Sequence, residues 1–224
     1  MFVVKRYHYS SEESNVGNKV IDNENKLFDR QRQRRKLIII LFSVMLATFN
    51  ILECMYYTFA PTYFQYSPLQ LTETEAADMI TAFTIPYTVF RGLSCLIAIR
   101  VLPKYILSAH YVICIVGIVS LVIARNSMAM LWVANVFMGI GVSAIMQTTF
   151  AFIGQHIRLT DMIGTILITF GGALNLAPPY VLGLLIKDHS IVFVMVEALT
   201  LGIVIVVFVI LLIFIRKYDM YDRK

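Results

Sequence analysis

Six runs of about twenty consecutive apolar residues dominate this chain and leave few folds open to it. They are Leu37–Phe59, Ala76–Ile99, Tyr105–Ala124, Met128–Phe150, Met162–Ile186 and Ile191–Ile215. About twenty residues of α-helix cross the roughly 30 Å of a bilayer's hydrocarbon, whereas a spanning strand needs only about ten. Within lipid each backbone polar group must be paired inside the structure, so an apolar run of this length is predicted to be a helix. The expected fold class is an all-α membrane protein with six transmembrane helices. Composition agrees, since 58% of the 224 residues are hydrophobic and 15% charged, against about 45–50% and 25% in soluble domains. Fourteen of the 33 charged residues lie in residues 1–36, which makes the remainder more apolar still. A soluble domain, a disulfide-rich secreted module and a disordered chain are all excluded.

Residues 1–36 read as a cytoplasmic, unordered basic tail or linker, because so polar a segment buries too little apolar surface to order itself. Residues 37–216 form the transmembrane domain, and residues 217–224 a cytoplasmic C-tail. Twelve Lys and Arg residues flank the spans on the side of the termini; Arg125 and Lys187 flank them on the other. Cytoplasmic loops carry the excess of such residues, so both termini are expected in the cytoplasm, in the plasma membrane rather than an organelle. The net charge of +5 is then a topology signal, and no nucleic-acid partner is expected. The basic run Gln31–Lys36 serves as an anchor or as a contact for anionic lipid. Cys54, Cys95 and Cys114 fit no zinc or redox spacing.

Charged residues inside the spans carry the functional information. One at mid-helix costs about 2.5–3.5 kcal/mol and normally faces a bundle interior or a wet cavity. Asn50, Glu53 and Tyr57 recur at i, i+3 and i+7, so they share one face of the first span. That stripe lines a polar pathway or clasps a neighbouring helix. Thr84, Tyr87 and Arg91 repeat the spacing in the second span. Arg91 needs an anion, but its depth differs from that of Glu53 by about 12 Å, so a direct pair is not expected. Glu197, six residues into the last run, reads as structural. In the fifth span Gly171 and Gly172 precede Asn175, and Pro178 and Pro179 follow. Prolines free carbonyls in the preceding turn, and interrupted helices near the midplane build transporter substrate sites; a simple glycine-packed kink is the alternative.

An enzyme is not expected. The Gly141–Ala144 stretch has the look of an intramembrane serine-protease motif, yet no histidine base lies in the last two spans. No phosphate-cradling Gly-Lys-Ser/Thr loop occurs, and no metal or cofactor is implied by the residues.

The stretches Glu53–Phe59, Leu71-Thr72, Glu75–Ala77, Phe90–Leu93 and Leu102-Pro103 resemble the seventh and eighth helices of the major facilitator superfamily. The resemblance is strongest to its sodium-dependent glucose transporter-like and fucose permease-like branch. Gly139–Ser143, Gly171–Leu174, Pro178 and Gly183 resemble the tenth and eleventh helices of that branch. The match covers about residues 37–216 and implies the C-terminal half of a twelve-helix carrier, with its 3+3 inverted repeat. It also implies secondary active transport of a small polar solute, a sugar, by alternating access. Asn50, Glu53, Tyr57, Tyr87 and Asn175 would contact the solute, with sodium or proton coupling at Glu53. Arg91, Gly171, Gly172, Pro178 and Pro179 would serve structure or gating. Two positions depart from the branch: Phe90 stands where glycine is usual, and Gln147 where proline is frequent. Six helices supply one wall of such a carrier, so a second six-helix half, or a second copy of this chain, is the expected partner beside solute and bilayer. The sequence is then expected to be a fragment or a half-carrier. The different-class alternative is a transport-inactive membrane protein that regulates a full-length carrier by pairing with it.

Overall fold

The computed structural model describes residues 2–157, 160–187 and 189–222. The described residues are helical apart from short connections, with no strand among them. Eight α-helices follow in order: α1 (Phe2–Tyr66), α2 (Glu73–Ile97), α3 (Pro103–Ile123), α4 (Met128–Val142), α5 (Ile145–His156), α6 (Asp161–Leu174), α7 (Ala177–Leu185) and α8 (Ile191–Asp222). Read as spans, α4 with α5 and α6 with α7 are each one interrupted crossing. Six helical segments are then long and apolar enough to cross a membrane, which makes this a multi-pass membrane protein.

Contacts divide the chain into two compact units, residues 1–40 and 41–224. In the first unit the backbone is helical from Phe2, whereas the sequence argues for an unordered segment over residues 1–36. Extending an existing helix costs far less than nucleating one, so the polar stretch need not bury apolar surface to hold this conformation. Arg32, Gln33, Arg35 and Lys36 are exposed there.

In the second unit, α3 packs against α4, α5 and α8, and α2 packs against α4. Aromatic rings fasten α1 to its neighbours. Tyr56 stacks on Phe83 of α2 at 4.6 Å, Tyr63 stacks on Phe193 of α8 at 4.9 Å, and Phe42 meets Phe152 of α5 edge-on at 5.7 Å. The first span therefore runs past its expected end at Phe59, through Pro61, to Tyr66. Tyr63 and Phe64 are core residues, 2% and 0% exposed. Tyr63 is held there by its contact with Phe193 of α8, and the Phe64 ring lies edge-on to Tyr63 at 5.6 Å.

Glycines set the closest helix approaches. At Gly139 a Cβ would overlap the carbonyl oxygen of Phe83 and lie 3.1 Å from the Pro86 ring, so α4 meets α2 backbone to backbone. At Gly141 a Cβ would come within 2.8 Å of the Cys114 nitrogen on α3. The turn into α2 is closed by a reciprocal cap: the Glu75 amide donates to Thr72 Oγ1 at 3.3 Å, and the Thr72 amide donates to Glu75 Oε2 at 2.9 Å.

Candidate functional site

The polar stripes of α1 and α2 face each other. The Tyr87 hydroxyl donates to Glu53 Oε1 at 2.5 Å and accepts a hydrogen bond from Arg91 Nη1. Helical spacing makes this possible, because Tyr87 and Arg91 lie one turn apart on one face. A tyrosine oxygen can donate once and accept as well, so it can stand between an anion and a cation. Glu53 and Arg91 are joined through this hydroxyl.

The network continues into the fourth span. With the Gln147 amide turned so that its oxygen faces the guanidinium, that oxygen accepts from Arg91 Nε, and from Arg91 Nη2 at 3.1 Å; amide orientation is set by hydrogen bonding in this way. The arginine is thus held by two partners on different helices, and α1, α2 and α5 are tied in series by Glu53, Tyr87, Arg91 and Gln147. Tyr57 closes one flank. Its ring lies edge-on to Tyr87 at 5.7 Å and to Phe83 at 5.0 Å. Glu53, Tyr57, Arg91 and Gln147 are all half-buried. A charged network with open edges, set in an apolar bundle, can offer hydrogen bonds of both signs to a polar molecule.

The other expected contacts are placed differently. Asn50 lines a small cavity of about 30 Å³ beside Phe49, Met146, Leu167 and Gly171. Asn175 lies at the junction of α6 and α7, where its backbone N–H donates to the carbonyls of Gly171 and Gly172. Its Oδ1 is buried and has no partner among the described residues. Neither asparagine joins the Glu53–Arg91 network through any described hydrogen bond. Gly171 faces Ala47 of α1, with a Cβ 3.7 Å from its Cα, whereas a Cβ on Gly172 would meet nothing within 4 Å. Pro178 and Pro179 occupy the first turn of α7 and are half-buried.

Several polar groups outside the expected site are deeply buried. The Tyr56 hydroxyl donates to Asn135 Oδ1 at 2.9 Å, and Asn135 Nδ2 donates to the Leu131 carbonyl at 2.8 Å. This clasp joins α1 to α4, and its signal, a lone amide in an apolar run, is the one that marks Asn175. His110 Nδ1 lies 3.0 Å from the Gly141 carbonyl, and its Nε2 lies 3.4 Å from Ser94 Oγ, so one ring links α2, α3 and α4. Glu197 is 0% exposed, and both its carboxyl oxygens lack partners among the described residues. The half-buried Gln147, by contrast, joins the candidate site, and its signal in the sequence is its departure from the resembled pattern.

No group of three or more metal-ligating side chains gathers among the described residues. Compared with protein families, with curated proteins and with solved structures, the chain gives no match.

Proposed function

We propose that this chain is the C-terminal six-helix half of a major facilitator carrier. In this reading it moves a small polar solute, a sugar, by alternating access with sodium or proton coupling. The observation that carries the reading is the series Glu53–Tyr87–Arg91–Gln147, buried at Tyr87 and half-buried at the other three, which sets opposite charges and a hydroxyl on the facing sides of three membrane helices. Purely structural polar groups in a bundle tend to be enclosed, as Tyr56 and Asn135 are here; this series keeps open edges. Alternating access rocks one half against another around a central site. The polar wall of α1, α2 and α5 would face that site, with Tyr57 as a stacking flank for a sugar ring. The break in the fifth span at Asn175 supports the same reading, because it sets unpaired polar groups within an apolar segment. Both termini would be cytoplasmic in the plasma membrane, and the second six-helix half would come from the same longer polypeptide or from another chain.

Uptake into proteoliposomes that hold the chain together with its second half tests this. Solute flux abolished by Glu53→Gln, with the protein still folded and inserted, is the expected result; flux unchanged in that variant would remove Glu53 from the site. The regulatory alternative draws on the faces left uncovered. Only 17% of the most apolar window is buried in the second span, and the same share in the fifth, so a paired bundle has a surface to cover. Stable association with an intact carrier, without flux of its own, would favour that alternative.

A further inference from the structure

A second cavity, of about 650 Å³, opens at the end of the bundle where α3 begins and α5 ends. That volume lies within the range of sites that hold small ligands. Three of its lining residues are basic, namely Lys104, His156 and Arg216, with Gln155 beside them, and none of the described lining residues is acidic. Two of the basic residues are delivered by helix ends and the third by the point where a span leaves its apolar run. Lys104 is the second residue of α3 and His156 the last of α5, while Arg216 lies where the apolar run of α8 gives out.

The placement of Lys104 is unfavourable for α3 taken alone. The first turn of a helix already carries partial positive charge and favours anions, yet α3 has no acidic residue there and no side-chain cap. The Lys104 ammonium lies over the Tyr105 ring, 4.8 Å from its centroid, and an anion seated in the cavity would add a charge partner for it and for the helix end. Tyr105 and Ser108 of α3 also line the cavity, and the rest of the wall is apolar, formed by Phe152, Leu212 and Ile215. Leu102, at the mouth, is 52% exposed. A cationic rim above an apolar wall, at the end of membrane spans, suits a ligand with a charged head and a hydrocarbon body.

We propose that this cavity binds the headgroup of an anionic phospholipid, with the phosphate on Lys104 and Arg216 and the glycerol and upper acyl chains against Phe152, Leu212 and Ile215. Basic pockets between membrane helices recognise such headgroups. The site lies apart from the Glu53–Arg91 network and does not depend on the carrier reading.

The test uses the full chain in uncharged detergent micelles, titrated calorimetrically with dioctanoyl phosphatidate, dioctanoyl phosphatidylcholine and inorganic phosphate. Phosphatidate is expected to bind, phosphatidylcholine to bind at least about tenfold more weakly, and inorganic phosphate at equal concentration not to displace the lipid. Each cation near a lipid surface contributes about fivefold, so Lys104→Gln with Arg216→Gln should weaken phosphatidate binding on the order of 30-fold. Arg100→Gln with Lys217→Gln is the exposed-charge control: it removes equal charge at the same end from positions that, unlike the likewise exposed Arg216, do not line the cavity, and it should change binding by less than about threefold on the same per-cation scale. If the double variant fails to fold, each single variant should show about the fivefold loss. Equal binding of the two lipids, an equal loss in the exposed-charge control, or displacement by phosphate alone would each overturn the proposal.

Discussion

At the scale of single residues, the Tyr87 hydroxyl is the most connected polar atom of the site, since it serves Glu53 on one helix and Arg91 on its own. Tyr87→Phe keeps the ring contacts with Phe83 and Tyr57 and deletes only that oxygen. Leaving buried or half-buried polar partners unmade costs about 1–3 kcal/mol, more where they are charged. Thermal unfolding in detergent should therefore show Tyr87→Phe destabilised by that amount. A cycle with Glu53→Gln should give a coupling energy above about 0.5 kcal/mol, as residues of one network do; strict additivity would mean the two groups act separately. How much of this was legible in the sequence depends on the residue. The stripes Asn50–Tyr57 and Thr84–Arg91 could be read because helical spacing fixes which side chains share a face. That Tyr87 would bridge Glu53 and Arg91 could not, because depth along the bilayer was counted between backbones, and the side chains of a tyrosine and an arginine reach beyond them. Gln147 was visible only as an exception, since nothing in spacing alone brings α5 beside Arg91.

At the scale of helices, close approach decides which glycines matter. Gly139→Ala would drive a methyl group into the Phe83 carbonyl oxygen, and backbone, unlike a side chain, cannot swing away. Overpacking of this kind costs roughly 1–3 kcal/mol. Gly172→Ala meets open space and should cost less than about 0.5 kcal/mol, like other substitutions that touch nothing. Melting temperatures of the two variants, measured side by side in one detergent, check the contrast; equal losses would contradict the α2–α4 contact. The number and approximate position of the spans were legible because twenty apolar residues have few alternatives in a membrane. Their ends were less so. α1 continues past Phe59 because Tyr63 finds Phe193 on α8, a tertiary contact that hydropathy along one segment cannot contain. The interruptions at Ser143–Ala144 and Asn175–Leu176 differ in the same respect. The second is announced by Pro178 and Pro179, while the first has no proline beside it.

At the scale of the whole molecule, six crossings require both ends of the chain to emerge on one side of the bilayer. Epitope tags fused at each end should be digested together, or protected together, when sealed vesicles are exposed to protease. One tag digested and the other protected would require an odd number of crossings, and at least one of the six helices would then not span. The same assay reports sidedness when the vesicle orientation is known, which tests the reading of the Lys and Arg distribution. The polar series of α1, α2 and α5 and the basic cavity of α3, α5 and α8 draw on different helices, with only α5 shared. Its two ends are occupied differently, Gln147 near the start reaching Arg91 and His156 at the finish lining the cavity.

The junction in the fifth span has a mechanical meaning. Neither Pro178 nor Pro179 can donate a backbone hydrogen bond, so the carbonyls four residues earlier, on Leu174 and Asn175, lack the usual rung of the helical ladder. α7 is nine residues long, which makes it a lever arm of about 14 Å swinging from a weakened elbow. A swing of about 10° there would carry its far tip through about 2 Å while α6 stayed seated on α1.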